Sequence, residues 1–327
     1  MSESGIVEEG RAVRDVGWKT SRGVRADHLA AGFAALVACT LVLIVLGALV
    51  RAHEAGLACP DWPLCLGEIV PRINFQVAFE WSHRLLAASV ALVFAGLAGV
   101  ALYSTGTPRG VRGLLALAAG LLAAQIVLGA LTVWQQLAAW TVTGHLVTGN
   151  AFAVTLVLIA CTLRDRAPAG APARAVGTPA SLWIAASALL LLGQIVLGGL
   201  VSSRFAGLAC PEWPTCSGGI WFPSWKGTVG LHLMHRTNAY LLLGSLAASA
   251  ALSWRTRPLR PWTLLACALG FAQLAVGVAN VRLGIPVDVT GLHTGLATLL
   301  ALTLARAARE TLARGVVTPQ QAMLHPR

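Results

Sequence analysis

Eight apolar runs separated by short polar stretches dominate the chain: Leu29–Val50, Leu85–Tyr103, Gly113–Val133, Trp140–Leu163, Ala180–Ser202, Thr237–Trp254, Trp262–Val281 and Val289–Ala305. A helix rises 1.5 Å per residue, so about 20 residues cross a hydrocarbon layer roughly 30 Å thick. Each run reaches that length once its flanking polar residues sit in the interface. The pattern predicts an all-α polytopic membrane protein with eight transmembrane helices. An even number of spans puts both termini on one side.

Composition sharpens this. Of 327 residues, 56% are hydrophobic and only 11% are charged, with a mean hydropathy of +0.72. Ordinary soluble domains carry about 25% charged residues, which excludes a soluble globular protein, and disordered and coiled-coil chains fail on the same numbers. The net charge of +11 would suggest nucleic acid if it occupied one face. The cations are instead scattered between apolar runs, so the expected partner is the lipid bilayer and no nucleic acid. With cytoplasmic termini, 17 of the 24 Lys and Arg lie inside, including Arg11, Arg14, Lys19, Arg109, Arg112 and Arg306. Seven remain outside: Arg51, Arg72, Arg84, Arg204, Lys226, Arg236 and Arg282. The positive-inside rule selects that orientation.

The first apolar run is too long for a cleavable signal and has no small-residue cleavage site behind it. Glu3, Glu8, Glu9, Asp15 and Asp27 speak against an acid-poor transit peptide. A bacterial plasma membrane is the expected location.

The chain repeats itself. Gly56–Cys65 (GLACPDWPLC) matches Gly207–Cys216 (GLACPEWPTC) at eight of ten positions, at an offset of 151. Leu46–Val50 (LGALV) recurs as Leu197–Val201 (LGGLV), and Gln125–Gly129 (QIVLG) as Gln273–Gly277 (QLAVG), 148 residues on. Two pseudo-symmetric four-helix bundles follow, 29–163 and 180–307, joined by an Ala/Pro-rich cytoplasmic linker at 164–179. Tails at 1–28 and 308–327 would be cytoplasmic. Four helices per half insert both halves the same way, so the pseudo-two-fold axis runs along the membrane normal.

Four of the eight histidines obey the repeat: His83 pairs with His235 and His145 with His293. All four fall in the first turn or two of even-numbered helices, at one level near the outer face. A lone histidine usually packs or pairs structurally, but two repeated pairs supply what axial ligation of a flat macrocycle needs. Zinc is the weaker alternative, because no cysteine or carboxylate cluster completes a tetrahedral site. No C-x-x-C-H is present, which excludes covalent c-type attachment.

Cys39, Cys161 and Cys267 sit singly in apolar runs and read as packing. Cys59/Cys65 and Cys210/Cys216 are C-x5-C pairs in outer loops, where thiols can oxidise and each closed loop is worth roughly 2 kcal/mol. A structural disulfide and a redox-active one both fit that spacing. Trp62 and Trp213 suit an amphipathic lid. Arg84 and Arg236 suit either propionate binding or snorkelling, and Gln125, Gln194 and Gln273 suit interhelical bonding. One asymmetry breaks the repeat: Glu80, at i−3 from His83, aligns with His232. Only the first half therefore sets a carboxylate on the helical face of its histidine. The alternative for Glu80 is an exposed interfacial carboxylate.

CPDWPLC, CPEWPTC, the E-x-x-H on helix two and the single histidines on helices four, six and eight resemble the haem A synthase family over roughly Leu29 to Ala305. One departure is the stretch Arg51–Gly56, which lacks the Thr-Gly-Ser-Gly type of segment expected there. The resemblance implies an oxidoreductase that converts the C8 methyl of haem O to the formyl of haem A for cytochrome oxidase. It implies haem b as cofactor on His235 and His293, substrate haem O between His83 and His145, and Glu80 as an essential carboxylate. It further implies haem O synthase and an electron donor as partners, and allows a homo-oligomer. Two rivals remain, a haem-handling transporter and a bis-histidine quinol-linked cytochrome, although the latter commonly stacks its haems across the bilayer.

Overall fold

The computed structural model describes residues 4–104, 107–164 and 179–313. The linker residues 165–178 and the tail from 314 onward lie outside them. The chain forms α1 (Ser4–Ala52), α2 (Phe75–Tyr103), α3 (Arg109–Trp134), α4 (Ala139–Arg164), α5 (Pro179–Ser203), α6 (Gly227–Leu252), α7 (Arg260–Arg282) and α8 (Val287–Ala313). Among the described residues the only β-type pairings are isolated bridges in two loops, Cys65 with Glu68 and Ser217 with Ile220. Among the described residues, seven helices are long and apolar enough to cross a membrane, which makes this a multi-pass helical membrane protein. The eighth, α6, carries His232, His235, Arg236, Asn238, Ser245 and Ser249. That polar content dilutes its apolar signal.

Two helices begin ten residues before the hydropathy pattern places them. The α2 helix starts at Phe75 rather than Leu85, with the Asn74 side chain accepting the Val77 N–H at 2.9 Å, a side-chain cap for an otherwise unpaired donor. The α6 helix starts at Gly227 rather than Thr237. The added turns hold the Glu80–Arg84 and His232–Arg236 segments, whose polarity hides them from a hydropathy window. His83 and His235 consequently sit in the third turn of their helices, deeper than the sequence suggested. Another extension is α8, which runs past Ala305 and pairs Arg306 with Glu310 at i,i+4.

Neighbouring helices pack as α1 with α2 and α4, α3 with α4, α5 with α6 and α8, and α6 and α8 with α7. The first four helices meet the last four through α1 on α8 and α4 on α5 and α8. One seam stays loose: α2 and α3 barely touch, whereas α6 and α7 pack together. The apolar cores fill the end away from the cysteine loops. In the first four helices, Phe33, Leu36, Phe94, Leu115, Leu156 and Ile159 are buried there, and Leu191, Leu242, Leu246, Leu300 and Leu304 do the same in the last four. At the loop end only small clusters remain, Val77 against Cys59 and Cys65 and Leu233 against Cys210 and Cys216.

Candidate functional site

At the loop end, both C-x5-C pairs are disulfides, Cys59–Cys65 with S–S 1.94 Å and Cys210–Cys216 with S–S 2.00 Å. Each loop closes on a carboxylate. Asp61 accepts the N–H groups of Leu66 and Gly67, both at 2.7 Å, and Glu212 accepts those of Gly218 and Gly219 at 2.9 and 3.1 Å. The second loop carries one extra residue, and the longer Glu212 side chain makes up the reach. That insertion is also why the repeat offset rises from 151 at the cysteines to 152 at the histidines. The Gly67 amide chiefly holds the Asp61 carboxyl below its ordinary range, and the Gly219 amide does so for Glu212.

Arginines then fasten the loops to the helices. Arg84 donates from Nη1 to the carbonyls of Asp61 (2.7 Å) and Leu64 (2.5 Å), and from Nη2 to the Cys59 carbonyl (2.9 Å). Arg236 donates to the carbonyls of Thr215 (3.0 Å) and Cys210 (2.6 Å). Neither arginine is therefore simply a snorkelling cation. A guanidinium fork suits convergent carbonyls, and both arginines act as loop clamps. The tryptophans also reach helices: Trp62 lies edge-on to Trp134 with centroids 6.0 Å apart, and Trp213 Nε1 donates to the Tyr240 hydroxyl at 3.2 Å.

Glu80 is 4% exposed, which removes the exposed interfacial alternative. Its Oε2 accepts the Cys59 N–H at 2.8 Å and its Oε1 pairs with Arg84 at 2.5 Å. Its repeat partner His232 is equally buried, and its ring Nδ1 donates to the Ala206 carbonyl at 3.0 Å. Both residues thus tie an even-numbered helix to the outer loop, one as an acceptor and the other as a donor.

Below this layer sit the four histidines. His83 and His145 are electrostatic neighbours, as are His235 and His293. Each ring rests against a glycine of an adjacent odd-numbered helix. A Cβ built on Gly47, Gly129, Gly198 and Gly277 would lie 3.0, 3.4, 3.2 and 3.0 Å from Cε1 of His83, His145, His235 and His293 respectively. Nδ1 of His83, His145 and His293 is buried, with the His83 and His145 rings close to the backbone of Leu43 and Gln125 and His293 Nδ1 without a partner. His235 differs, because the Gln194 amide nitrogen sits 3.2 and 3.3 Å from its two ring nitrogens. Gln194 in turn accepts from Asn238 at 2.8 Å. Gln125 Nε2 donates to the His145 carbonyl at 2.8 Å and bonds Thr148 Oγ1, as interhelical glue should. Two imidazoles per half are the donor set a porphyrin iron takes, whereas among the described residues no group of three or more His, Cys, Asp and Glu could hold a bare metal ion.

Sequence reasoning passed over the four glycines and the histidine contact of Gln194. Their signal was present: the repeated strings LGALV, LGGLV, QIVLG and QLAVG contain those glycines.

The fold and site together define a multi-pass helical membrane protein with two buried histidine pairs beneath two disulfide loops. The chain belongs to the cytochrome oxidase assembly protein family COX15-CtaA, whose pattern it matches over residues 32–78 and 72–305. It is similar to the haem A synthase of Shewanella oneidensis, with 29% identity covering 81% of this chain and 91% of that protein. The haem A synthase of Halalkalibacterium halodurans is 29% identical over 83% of this chain and 93% of its own length. That of Rhizorhabdus wittichii is 28% identical over 80% and 88%.

Proposed function

We propose that the protein is a haem A synthase, a membrane oxidoreductase that oxidises the C8 methyl of haem O to the formyl group of haem A for cytochrome oxidase. The observation that carries this reading is the doubled histidine pair with a carboxylate in only one copy, in a chain whose relatives bear that name. Residues 180–307 hold haem b through His235 and His293, and residues 29–163 bind haem O between His83 and His145. Bound haem b supplies one-electron transfer. His235, contacted by Gln194, and His293 would hold it.

In the first four helices, Arg84 and the Cys59 N–H hold the Glu80 carboxylate in place beside the substrate. There it stabilises positive charge developing on the ring substituent, or receives a proton at a carboxylate oxygen. The disulfide loops close the outer end and keep bulk water from the reacting carbon.

The two groups of four helices are related by a pseudo-two-fold axis. Arg51 Nη2 donates to the carbonyl of Ser202 at 3.2 Å, and these two residues are repeat equivalents at offset 151; such a contact belongs close to an axis. The linker 164–179 and the tails 1–28 and 308–327 face the cytoplasm of a bacterial cell, where haem O synthase and an electron donor serve the enzyme.

Expression with haem O supplied, followed by pigment extraction, tests the activity. Haem A is expected. Its absence overturns the assignment, and movement of haem across vesicles without turnover identifies a haem-handling transporter instead.

A further inference from the structure

We propose that Gly47, Gly129, Gly198 and Gly277 are positioning residues, each holding open the clearance that seats one haem-binding imidazole. The inference rests on the assignment of the four histidines as ligands and goes beyond it by giving a role to residues that have no side chain to ligate with.

Geometry carries the argument. Gly47 on α1 backs His83 on α2, Gly129 on α3 backs His145 on α4, Gly198 on α5 backs His235 on α6, and Gly277 on α7 backs His293 on α8. Gly47 and Gly198 are repeat equivalents at offset 151, and Gly129 and Gly277 at offset 148. All four are ordinary helical residues with no left-handed backbone, so conformational freedom does not call for glycine. Alanine is the better helix former, and what these positions have in common is lack of space. Nδ1 is the ring nitrogen nearer the glycine, by 0.4 Å at Gly277 and by 0.1 Å at Gly47, and Cε1 is the atom each added methyl would meet first. A methyl group at 3.0 Å from Cε1 drives the ring off its seat by a few tenths of an ångström. Binding constellations must be held to within about 0.5 Å, so a shift of that size uses up most of the tolerance.

Not every helical glycine here is of this kind. Gly96 and Gly99 on α2 and Gly244 on α6 would place a Cβ in open space. They serve as internal controls.

The test uses the full-length protein in detergent with haemin as the probe. Haem content and the reduced-minus-oxidised spectrum are read for Gly277→Ala, Gly198→Ala and Gly244→Ala, alongside His293→Ala. Gly277→Ala is expected to weaken haemin retention about tenfold to hundredfold and to lose the low-spin bis-histidine spectrum. Gly198→Ala, with clearance 0.2 Å greater, shows a smaller loss, and Gly244→Ala matches the parent. The haem-free Gly277→Ala protein should melt no lower than haem-free parent, because alanine favours the helix. In the first four helices, Gly47→Ala should weaken haem O binding more than Gly129→Ala.

An unchanged spectrum in Gly277→Ala and Gly198→Ala, with loss in His293→Ala, overturns the seating role and leaves the ligand assignment intact. Retention of the spectrum in His293→Ala overturns the ligand assignment and the inference together. A lowered melting temperature in the haem-free glycine variants assigns the loss to misfolding and overturns the seating role. Should Gly277→Ala fail to fold, the roomier Gly198→Ala decides.

Discussion

The first four helices and the last four repeat the same disulfide loop, arginine clamp and glycine-backed histidines, yet they treat one position oppositely. Glu80 is an anion accepting a loop N–H, while His232, its repeat equivalent, donates to a loop carbonyl. Anchoring a helix to a loop works with either polarity, so packing alone does not select a carboxylate. A second difference lies around the first histidine of each pair. His235 is contacted by Gln194, itself held by Asn238, whereas the equivalent positions of the first four helices are Leu43 and Leu86. A third is the seam, tight between α6 and α7 and loose between α2 and α3. A site that keeps its occupant gains from polar support and tight walls. A site that exchanges its occupant gains from neither.

The largest expected effect strikes the polarity difference. Glu80→Gln keeps an oxygen for the Cys59 N–H but removes the charge, and turnover to haem A should fall about a hundredfold. Haem should stay bound in the last four helices, and the reaction should stall at a hydroxylated product. His232→Gln, a matching neutral change at the equivalent position, should leave turnover within about a factor of ten. Wild-type turnover in Glu80→Gln, measured by pigment chromatography, returns Glu80 to anchoring alone.

Next come the clamps. Arg84→Met strips a buried carboxylate of its partner as well as freeing three carbonyls, and should cost about 3 kcal/mol. Arg236→Met only frees carbonyls and should cost about 1–2 kcal/mol. Thermal unfolding of the two variants compares the halves directly, and equal losses would mean that the Glu80–Arg84 pair adds nothing.

Smallest is the effect of acid on the loops, where the halves should agree. Backbone amides lower the pKa of both Asp61 and Glu212, so their stabilisation is complete above the ordinary carboxylate values, about 3.9 for Asp and 4.3 for Glu. It is lost as pH falls through the depressed native values. Amide exchange at Gly67 and Gly219 should accelerate over that acid window in the parent, and Asp61→Asn and Glu212→Gln should abolish the pH dependence in their respective loops. A transition in one loop only would break the equivalence.

Much of this was legible before any coordinates. Apolar runs placed eight helices, because lipid demands long uninterrupted stretches. The offsets of His83/His235 and His145/His293 exposed the doubled site, because repeats preserve spacing. Helix starts at α2 and α6 were hidden, since Glu80, Arg84, His232 and Arg236 face loops and neighbours rather than lipid. Hydropathy cannot tell an inward polar turn from a loop. The clamping role of Arg84 was hidden for another reason: it depends on carbonyls of Cys59, Asp61 and Leu64 converging in a closed loop, and backbone groups leave no mark in side-chain sequence. Glycine seats were visible as letters in the repeat, but their meaning needed the ring on the neighbouring helix.

The apolar plug of the first four helices has an energetic consequence for the cell. Phe33, Phe94, Leu156, Ile159 and their neighbours are almost wholly buried, and a hydrocarbon layer of that kind gives a migrating proton no hydrogen-bonded wire to follow. Thr40 and Thr155, buried in the same region, spend their hydroxyls on carbonyls of their own helix. Among the described side chains of this plug, none links the loop end to the opposite end by hydrogen bonds. Under the proposed function, turnover at the loop end would open no proton leak through these four helices.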